Sequence, residues 1–188
     1  MELIELLSIL LPLYLMIPAL LPNSFAVIFG GGKPMDFNRS WRGNRILGDG
    51  KTWRGFIGGA VVGLIFGGVE LLLQNLYPWA QYALPEYYIT VPVILALSFG
   101  SLLGDLGGAF IKRRLGLARG EKAPILDQYD FVIGAFLLCM LVDASWFSEN
   151  LLSGIRWVGL ILFLVIVPIL HRLFNIIGYK MGKKDVPW

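Results

Sequence analysis

A chain of 188 residues that is 56% hydrophobic and only 15% charged, with a formal net charge of +3 and a mean hydropathy of +0.69, cannot hide its apolar surface in a water-soluble domain. Composition therefore excludes a soluble globular protein and points to one all-α integral membrane domain covering residues 1–188. A single cysteine, Cys139, excludes an internal disulfide, and its place in an apolar run marks it as a core residue. A removable signal peptide is not expected, because the N-terminus carries Glu2 and Glu5 and no basic stretch.

In chain order, the apolar segments predict five transmembrane helices of about 20 residues each, the length that crosses roughly 30 Å of hydrocarbon. The first, about 3–29, contains Pro12, Pro18 and Pro22, followed by Asn23 and Ser24, so a bent or broken helix is expected. The loop of about 30–52 runs into ILGDGKTWRG (46–55), whose Gly50, Lys51 and Thr52 match the end of a Walker phosphate-binding loop. That motif needs a glycine where Arg45 stands and a strand before it, so the Walker reading fails. The local physics still suits an anion. Gly48 and Gly50 expose backbone N–H groups, Lys51 adds charge, and a helix N-terminus follows near Trp53.

The second span, about 53–75, carries Gly55, Gly59, Gly63 and Gly67, and the third, about 89–111, carries Gly100, Gly104 and Gly108. Glycines every four residues let helix backbones approach closely in a bilayer. Tight packing between these two spans is the first expectation; a homodimer interface and a groove for a lipid chain stay open. The third span also holds Asp105, about 10 Å inside Lys112 along a helix. A carboxylate there is costly unless it is paired, metal-bound or facing water. Gly108 and Lys112 follow it on the same helix face.

A second loop, about 112–129, leads to the fourth span, about 130–147, at whose start Asp127 and Asp130 share one face. The last span, about 155–177, contains His171, which reads as an interfacial or hydrogen-bonded residue. Glu70, Asp143 and Glu149 fall near outer span ends, where charge can reach the interface, and Asp143 or Glu149 is a partner for Arg156. Trp41, Trp53, Trp79, Trp146, Trp157 and Trp188 mostly flank spans, as an aromatic belt would.

Charge sets the expected orientation. Residues 30–54, residues 112–122 and the C-terminal end hold all but one of the 16 Lys and Arg residues, the exception being Arg156. Positive-inside bias then puts the N-terminus outside and the C-terminus in the cytoplasm, as an odd number of spans demands. Asp105, Asp127 and Asp130 share the basic face. Hard oxygen ligands beside basic side chains suit Mg²⁺ and a polyphosphate, with a second cation about 3.5–4 Å away as an option.

The stretches GDLGGAFIKR (104–113) and LDQYDF (126–131) resemble the signature of the CTP-dependent phosphatidate cytidylyltransferase superfamily. Asp105 matches its first aspartate, Lys112 and Arg113 its basic pair, and Asp127 and Asp130 its last two aspartates. The Pro-Gly-His-Gly-Gly stretch usual in the bacterial enzymes is EKAPIL here, and their Arg after aspartate is Gln128. These departures, with PNSFAVIFGGGKPMDF (22–37) and RILGDGKTWRG (45–55), are similar to the archaeal branch, the CDP-archaeol synthases. The resemblance implies a multi-pass enzyme of the archaeal cell membrane, with its active site facing the cytoplasm. It implies transfer of CMP from CTP to 2,3-bis-O-(geranylgeranyl)-sn-glycerol 1-phosphate, giving CDP-archaeol and pyrophosphate.

On that reading Asp105, Asp127 and Asp130 hold Mg²⁺, and Lys112 and Arg113 act with them. Lys33, Arg39, Arg45, Lys51 and Arg54 are candidate phosphate contacts, with Gly48, Gly50 and Thr52 completing the CTP site. Asn23 and Ser24 are candidates for the lipid headgroup, and Arg42, Arg114 and Arg119 are solvated or bound to headgroups. No nucleic-acid partner is expected. The rivals are the same reaction on diacyl phosphatidic acid, a CTP-dependent polyprenol kinase, and a cation channel or transporter using Asp105.

Overall fold

The computed structural model describes residues 3–77, 88–118, 120–184 and 186–187. Glu2, Trp79, Arg119 and Trp188, on which expectations above fall, lie outside the described residues. Among those described, five helical segments are long and apolar enough to cross a bilayer: Leu3–Phe29, Trp53–Leu76, Val91–Arg114, Pro124–Val142 and Arg156–Lys180. The first is broken, as its prolines predict, into α1 (Leu3–Leu15) and α2 (Ile17–Phe29). Met16 between them has a ψ of 1°, outside the helical range. Pro18 has no N–H to donate back across the junction, so a continuous helix would lose a rung there.

The remaining spans are α3 (Trp53–Leu76), α4 (Val91–Arg114), α5 (Pro124–Val142) and α7 (Arg156–Lys180), with a short α6 (Ala144–Phe147) ahead of α7. One boundary differs from expectation in a way that matters. The fourth span begins at Pro124 instead of residue 130, so Asp127 and Asp130 both lie on helix and the loop shrinks to 115–123. Pro124 sits in the first turn, where no N–H is needed, and Asp127 Oδ2 accepts the Ala123 N–H at 2.9 Å. Both features extend the helix beyond its apolar run. At the far end Asp143 caps α6 by accepting the Trp146 N–H at 2.8 Å, and a π-helical turn, Ser148–Leu152, follows.

The glycine seams do not meet each other. A Cβ on Gly55 or Gly59 would fall 2.7 Å from Ala26 O or 2.5 Å from Pro22 O, both in α2. Gly59, Gly63 and Gly67 also reach α4, at Leu102, Ser98 and Ile94. The seam of α4 faces α5: Gly100 and Gly104 abut Gly134, and Gly108 abuts the Asp130 side chain. The expected α3–α4 packing is thus met along α3 from Gly59 to Gly67, while the seam of α4 itself turns to α5. The α3 seam also presses on α2 at Ala26 and Pro22, and the α4 seam on α5, where the small residues Gly134 and Ala135 leave space.

Between α2 and α3 the chain forms a two-stranded ladder, β1 (Ser40–Trp41) with β2 (Asn44–Arg45), turning at Arg42 and Gly43. Both turn residues have positive φ, 51° and 81°, as a tight hairpin turn of this kind needs. Arg114 does not point to solvent or headgroups. Its guanidinium donates to Trp41 O at 2.5 Å, Asn44 O at 3.2 Å and Arg45 O at 2.8 Å, and lies over the Trp41 and Phe110 rings. The hairpin is thereby fastened to the end of α4.

The core joins Leu15 and Met16 at the α1–α2 break to Val93 and Leu97 of α4, Phe131 and Ala135 of α5, and Phe163 and Val167 of α7. Cys139 is fully buried in it, as its apolar surroundings predict. Two outer-end expectations are corrected. Trp146 is fully buried and donates from Nε1 to Tyr88 O, because α6 folds it inward instead of leaving it at an interface. Glu70 is buried too, on the face of α3 turned toward the bundle. Arg156 donates to the backbone carbonyl of Glu149 at 2.5 Å, while the Glu149 carboxylate accepts from the Tyr88 hydroxyl at 3.2 Å.

Candidate active site

The ends of α2, α4, α5 and α7 on one side of the bundle surround a cavity of about 800 Å³, bordered by loop 30–52, loop 115–123 and the C-terminal tail. Its floor is acidic and cationic at once. Lys51, at the end of the loop, reaches Asp105 on α4 and donates to both carboxylate oxygens at 2.6 Å. Lys112, seven residues along the same helix, donates to Asp127 Oδ1 on α5 at 2.5 Å. Asp130 is 7% exposed and takes the N–H of Phe131 on Oδ1 at 2.7 Å. Burial pulls the Lys51 ammonium down, but Asp105 foremost, then Asp130 and Asp127, more than offset this, so it is held above its ordinary range.

The loop that delivers Lys51 is built around Asp36. This carboxylate accepts from Arg45 Nε at 3.1 Å and from a second guanidinium nitrogen at 2.7 Å. It also takes the N–H groups of Asn38 at 3.1 Å, Leu47 at 3.0 Å and Gly48 at 3.0 Å. The Arg45 guanidinium, with help from these amides, holds the Asp36 carboxyl well below the usual carboxylate range. Gly48 has a φ of +94°, which a side chain would strain, and its N–H points at Asp36. Gly50 has no such φ and open space where a Cβ would go, so the expected backbone demand falls on Gly48 alone.

The CarS-like family model for CDP-archaeol synthase matches residues 3–188. A CDP-archaeol synthase of Methanospirillum hungatei JF-1 is 47% identical over 176 residues, covering 92% of this chain and 100% of that relative. One from Methanocorpusculum labreanum is 48% identical over 180 residues, with the same coverage of 92% and 100%. The chain belongs to the CDP-archaeol synthase family. A solved structure, described as an intramembrane enzyme for archaeal membrane lipids biosynthesis, is 32% identical. It aligns with a TM-score of 0.67 over 88% of this chain and 92% of its own.

Seen as a member of this family, the chain gathers some of its sequence-predicted residues and scatters others. Asn23, Ser24, Arg45, Gly48, Gly50, Lys51, Asp105, Lys112, Arg113, Asp127 and Asp130 all line the cavity. Lys33, Arg39 and Arg54 do not: all three are exposed, and Lys33 lies over the Phe37 ring at 4.8 Å. Arg45 is at the rim, but its guanidinium is spent on Asp36 and on Asp49 at 2.7 Å. Thr52 is the N-cap of α3, its hydroxyl accepting the Gly55 N–H at 3.2 Å, and is turned away from the main cavity. Counting charges along the loop could not separate cations that brace it from cations that serve the cavity.

The far wall was not anticipated. His171, Phe174 and Asn175 of α7 line the cavity together with Lys183, Lys184 and Val186 of the tail. Lys184 Nζ donates to Asn175 Oδ1 at 2.7 Å, and Asn175 Nδ2 lies 3.3 Å from His171 Nδ1. Burial, reinforced by Lys51, pulls the Lys184 ammonium down to about 8, while Asp105 and Asp127 act in the opposite sense. The signal in the sequence was the polar trio His171, Asn175 and Lys184 at the end of an otherwise apolar segment.

The donor set can be weighed against Mg²⁺. Three carboxylates line one cavity, which is suitable hard-oxygen chemistry. Among the described residues, no three His, Cys, Asp or Glu side chains converge closely enough to cage an ion by themselves. Mg²⁺ is commonly held by one or two carboxylates together with substrate phosphates and water, so the residues present fit an ion that arrives with a nucleotide.

Proposed function

We propose that this chain transfers CMP from CTP to 2,3-bis-O-(geranylgeranyl)-sn-glycerol 1-phosphate, releasing pyrophosphate and forming CDP-archaeol. The observation that carries the reading is the pairing of Lys51 with Asp105 and of Lys112 with Asp127 inside one cavity at the ends of membrane spans. A site for two polyanions needs cations for the phosphates and carboxylates for a metal, and this one interleaves them.

The lipid phosphate is the nucleophile. One of its oxygens bonds to the α-phosphorus of CTP as the bond from that phosphorus to the bridging oxygen breaks, and the electron pair leaves with pyrophosphate. With a second pKa near 6, the phosphate monoester is largely dianionic at neutral pH, so no general base is needed. The work left to the protein is positioning and charge neutralisation. Lys51, Lys112 and Arg113 supply positive charge along the floor, and Asp105, Asp127 and Asp130 would hold Mg²⁺. That ion, when bound, neutralises phosphate oxygens and eases departure of pyrophosphate. Asn23 and Ser24, where α2 meets the cavity, face the lipid headgroup. The tails stay in the bilayer.

The experiment is purified protein with labelled CTP, Mg²⁺ and a panel of ether and ester lipid phosphates. Pyrophosphate and a CDP-lipid are expected, with the geranylgeranyl ether preferred; release of CDP would instead make the protein a kinase. The proposal also sets the N-terminus outside and the cavity toward the cytoplasm of the archaeal cell. Cys139 is buried, so an impermeant thiol reagent on intact cells should label an Asn75→Cys variant and spare Lys122→Cys. The reverse pattern would put the site on the side without CTP.

A further inference from the structure

We infer that the C-terminal tail supplies a substrate contact to this cavity: Lys184, positioned by Asn175, holds the phosphate of the lipid substrate. This rests on the transfer reaction proposed above and names a residue for it outside the signature stretches.

The geometry begins with the end of α7. Lys183 N–H returns to Gly178 O and Gly182 N–H to Tyr179 O, both at 2.9 Å, with Gly182 at a φ of +67°. This pairing around a left-handed glycine is a Schellman turn, which ends a helix and reverses the chain. The reversal sends Lys184 back along α7 to Asn175, where its ammonium donates to Oδ1 at 2.7 Å. Gly178 makes the return path. A Cβ there would lie 2.9 Å from Val27 Cγ1 and 3.5 Å from Lys184 Cγ, so the lysine stem and α2 share the space a side chain would fill. Beyond it, Val186 packs 3.6 Å from the Cβ position of Gly120, closing the tail against loop 115–123.

The position favours the lipid over the nucleotide. Lys184 stands against the ends of two spans, where the cavity wall is Asn23, Ala26 and Val27 of α2 and Phe174 of α7. A phosphate whose tails never leave the bilayer presents itself at that level, between helix ends. CTP, which comes from water, meets the loop residues Gly48, Lys51 and Gly116 of the same cavity. Asn175 fixes the direction of the ammonium through one bond at 2.7 Å.

Kinetics on purified protein with the geranylgeranyl ether phosphate and CTP varied in turn provide the test. Lys184→Met keeps the stem that lies on Gly178 and removes the charge. It should raise KM for the lipid phosphate about tenfold or more, leave KM for CTP unchanged, and melt with the wild type in detergent. Lys184→Arg should restore most of the lipid affinity, which a merely structural loss would not require. An unchanged lipid KM in Lys184→Met overturns the inference, and so does a rise confined to CTP. A wild type that releases no pyrophosphate would sink the transfer reaction itself, whereas an unaffected Lys184→Met beside an active wild type sinks only this assignment.

Discussion

The pairs Arg45–Asp36 and Lys51–Asp105 are almost equally short, 2.7 and 2.6 Å, and the cation of each comes from the loop beside the cavity. Their surroundings set them apart. The Asp36 side chain is fully buried, and three backbone N–H groups join the two-pronged guanidinium in using its lone pairs. A rigid fork on a saturated carboxylate is a knot: nothing entering the cavity could replace it without leaving buried amides unpaired. Lys51 and Asp105 are both partly exposed, and a single ammonium on a flexible stem spans the two oxygens. Such a point charge can turn to a phosphate while the carboxylate takes a metal. Equal distances thus conceal unequal roles, and satisfaction of the remaining lone pairs is what distinguishes them.

The sharpest way to break this comparison is to neutralise each acid. Asp105→Asn should cut turnover by about a hundredfold or more, beyond the 10–100-fold typical for groups that only support a ligand, with melting in detergent nearly unchanged. Near-normal turnover across a Mg²⁺ titration would remove Asp105 from the site.

Asp36→Asn should show the opposite balance, a loss of stability of about 3 kcal/mol from breaking a buried pair. Its pH dependence has a definite sign. The folded-state carboxyl titrates well below the usual range, so its contribution is complete above an unfolded value of about 3.9 and is lost as pH falls through the lower folded one. Unfolding curves of wild type and variant should therefore differ at neutral pH and approach each other under acid. A gap that persists at low pH would show that the knot is not electrostatic.

Lys51 and Thr52 divide a smaller effect. Lys51→Ala should weaken CTP use about ten- to hundredfold, the value of a charged hydrogen bond. Thr52→Ala should cost only about 1 kcal/mol of helix-cap stability and leave the Mg²⁺ dependence intact. Titration of CTP–Mg²⁺ into the Lys51→Ala protein settles the first half, and unchanged affinity with unchanged turnover would leave the loop as an anchor for α3. A finer test uses two adjacent glycines. Gly108→Ala would drive a methyl group into the Asp130 carboxylate, while the Gly107 position is open. Only the former should lower activity, and equal activities would detach Asp130 from the reaction.

Sequence alone determined that the chain crosses a membrane five times, that its first span breaks at prolines, and that the loop ending in Gly50-Lys51-Thr52 is no Walker motif. Each of these follows from apolar length, a missing N–H or local spacing, which are properties of neighbours along the chain. It also named the family, because GDGKTWRG and DQYDF are contiguous stretches. The tertiary structure alone decided which charges serve the cavity. Arg45, Lys51 and Arg54 are alike in a string of letters, but the Asp36 knot takes the first, the cavity the second and solvent the third. The same holds for the glycine seams, which a period of four makes visible without revealing their partners, and for Lys184. That residue enters the site only because Gly178 and Gly182 let the tail reverse along α7. Contacts between residues distant in sequence depend on where helices cross, and helix crossing is settled by the packing of the whole bundle.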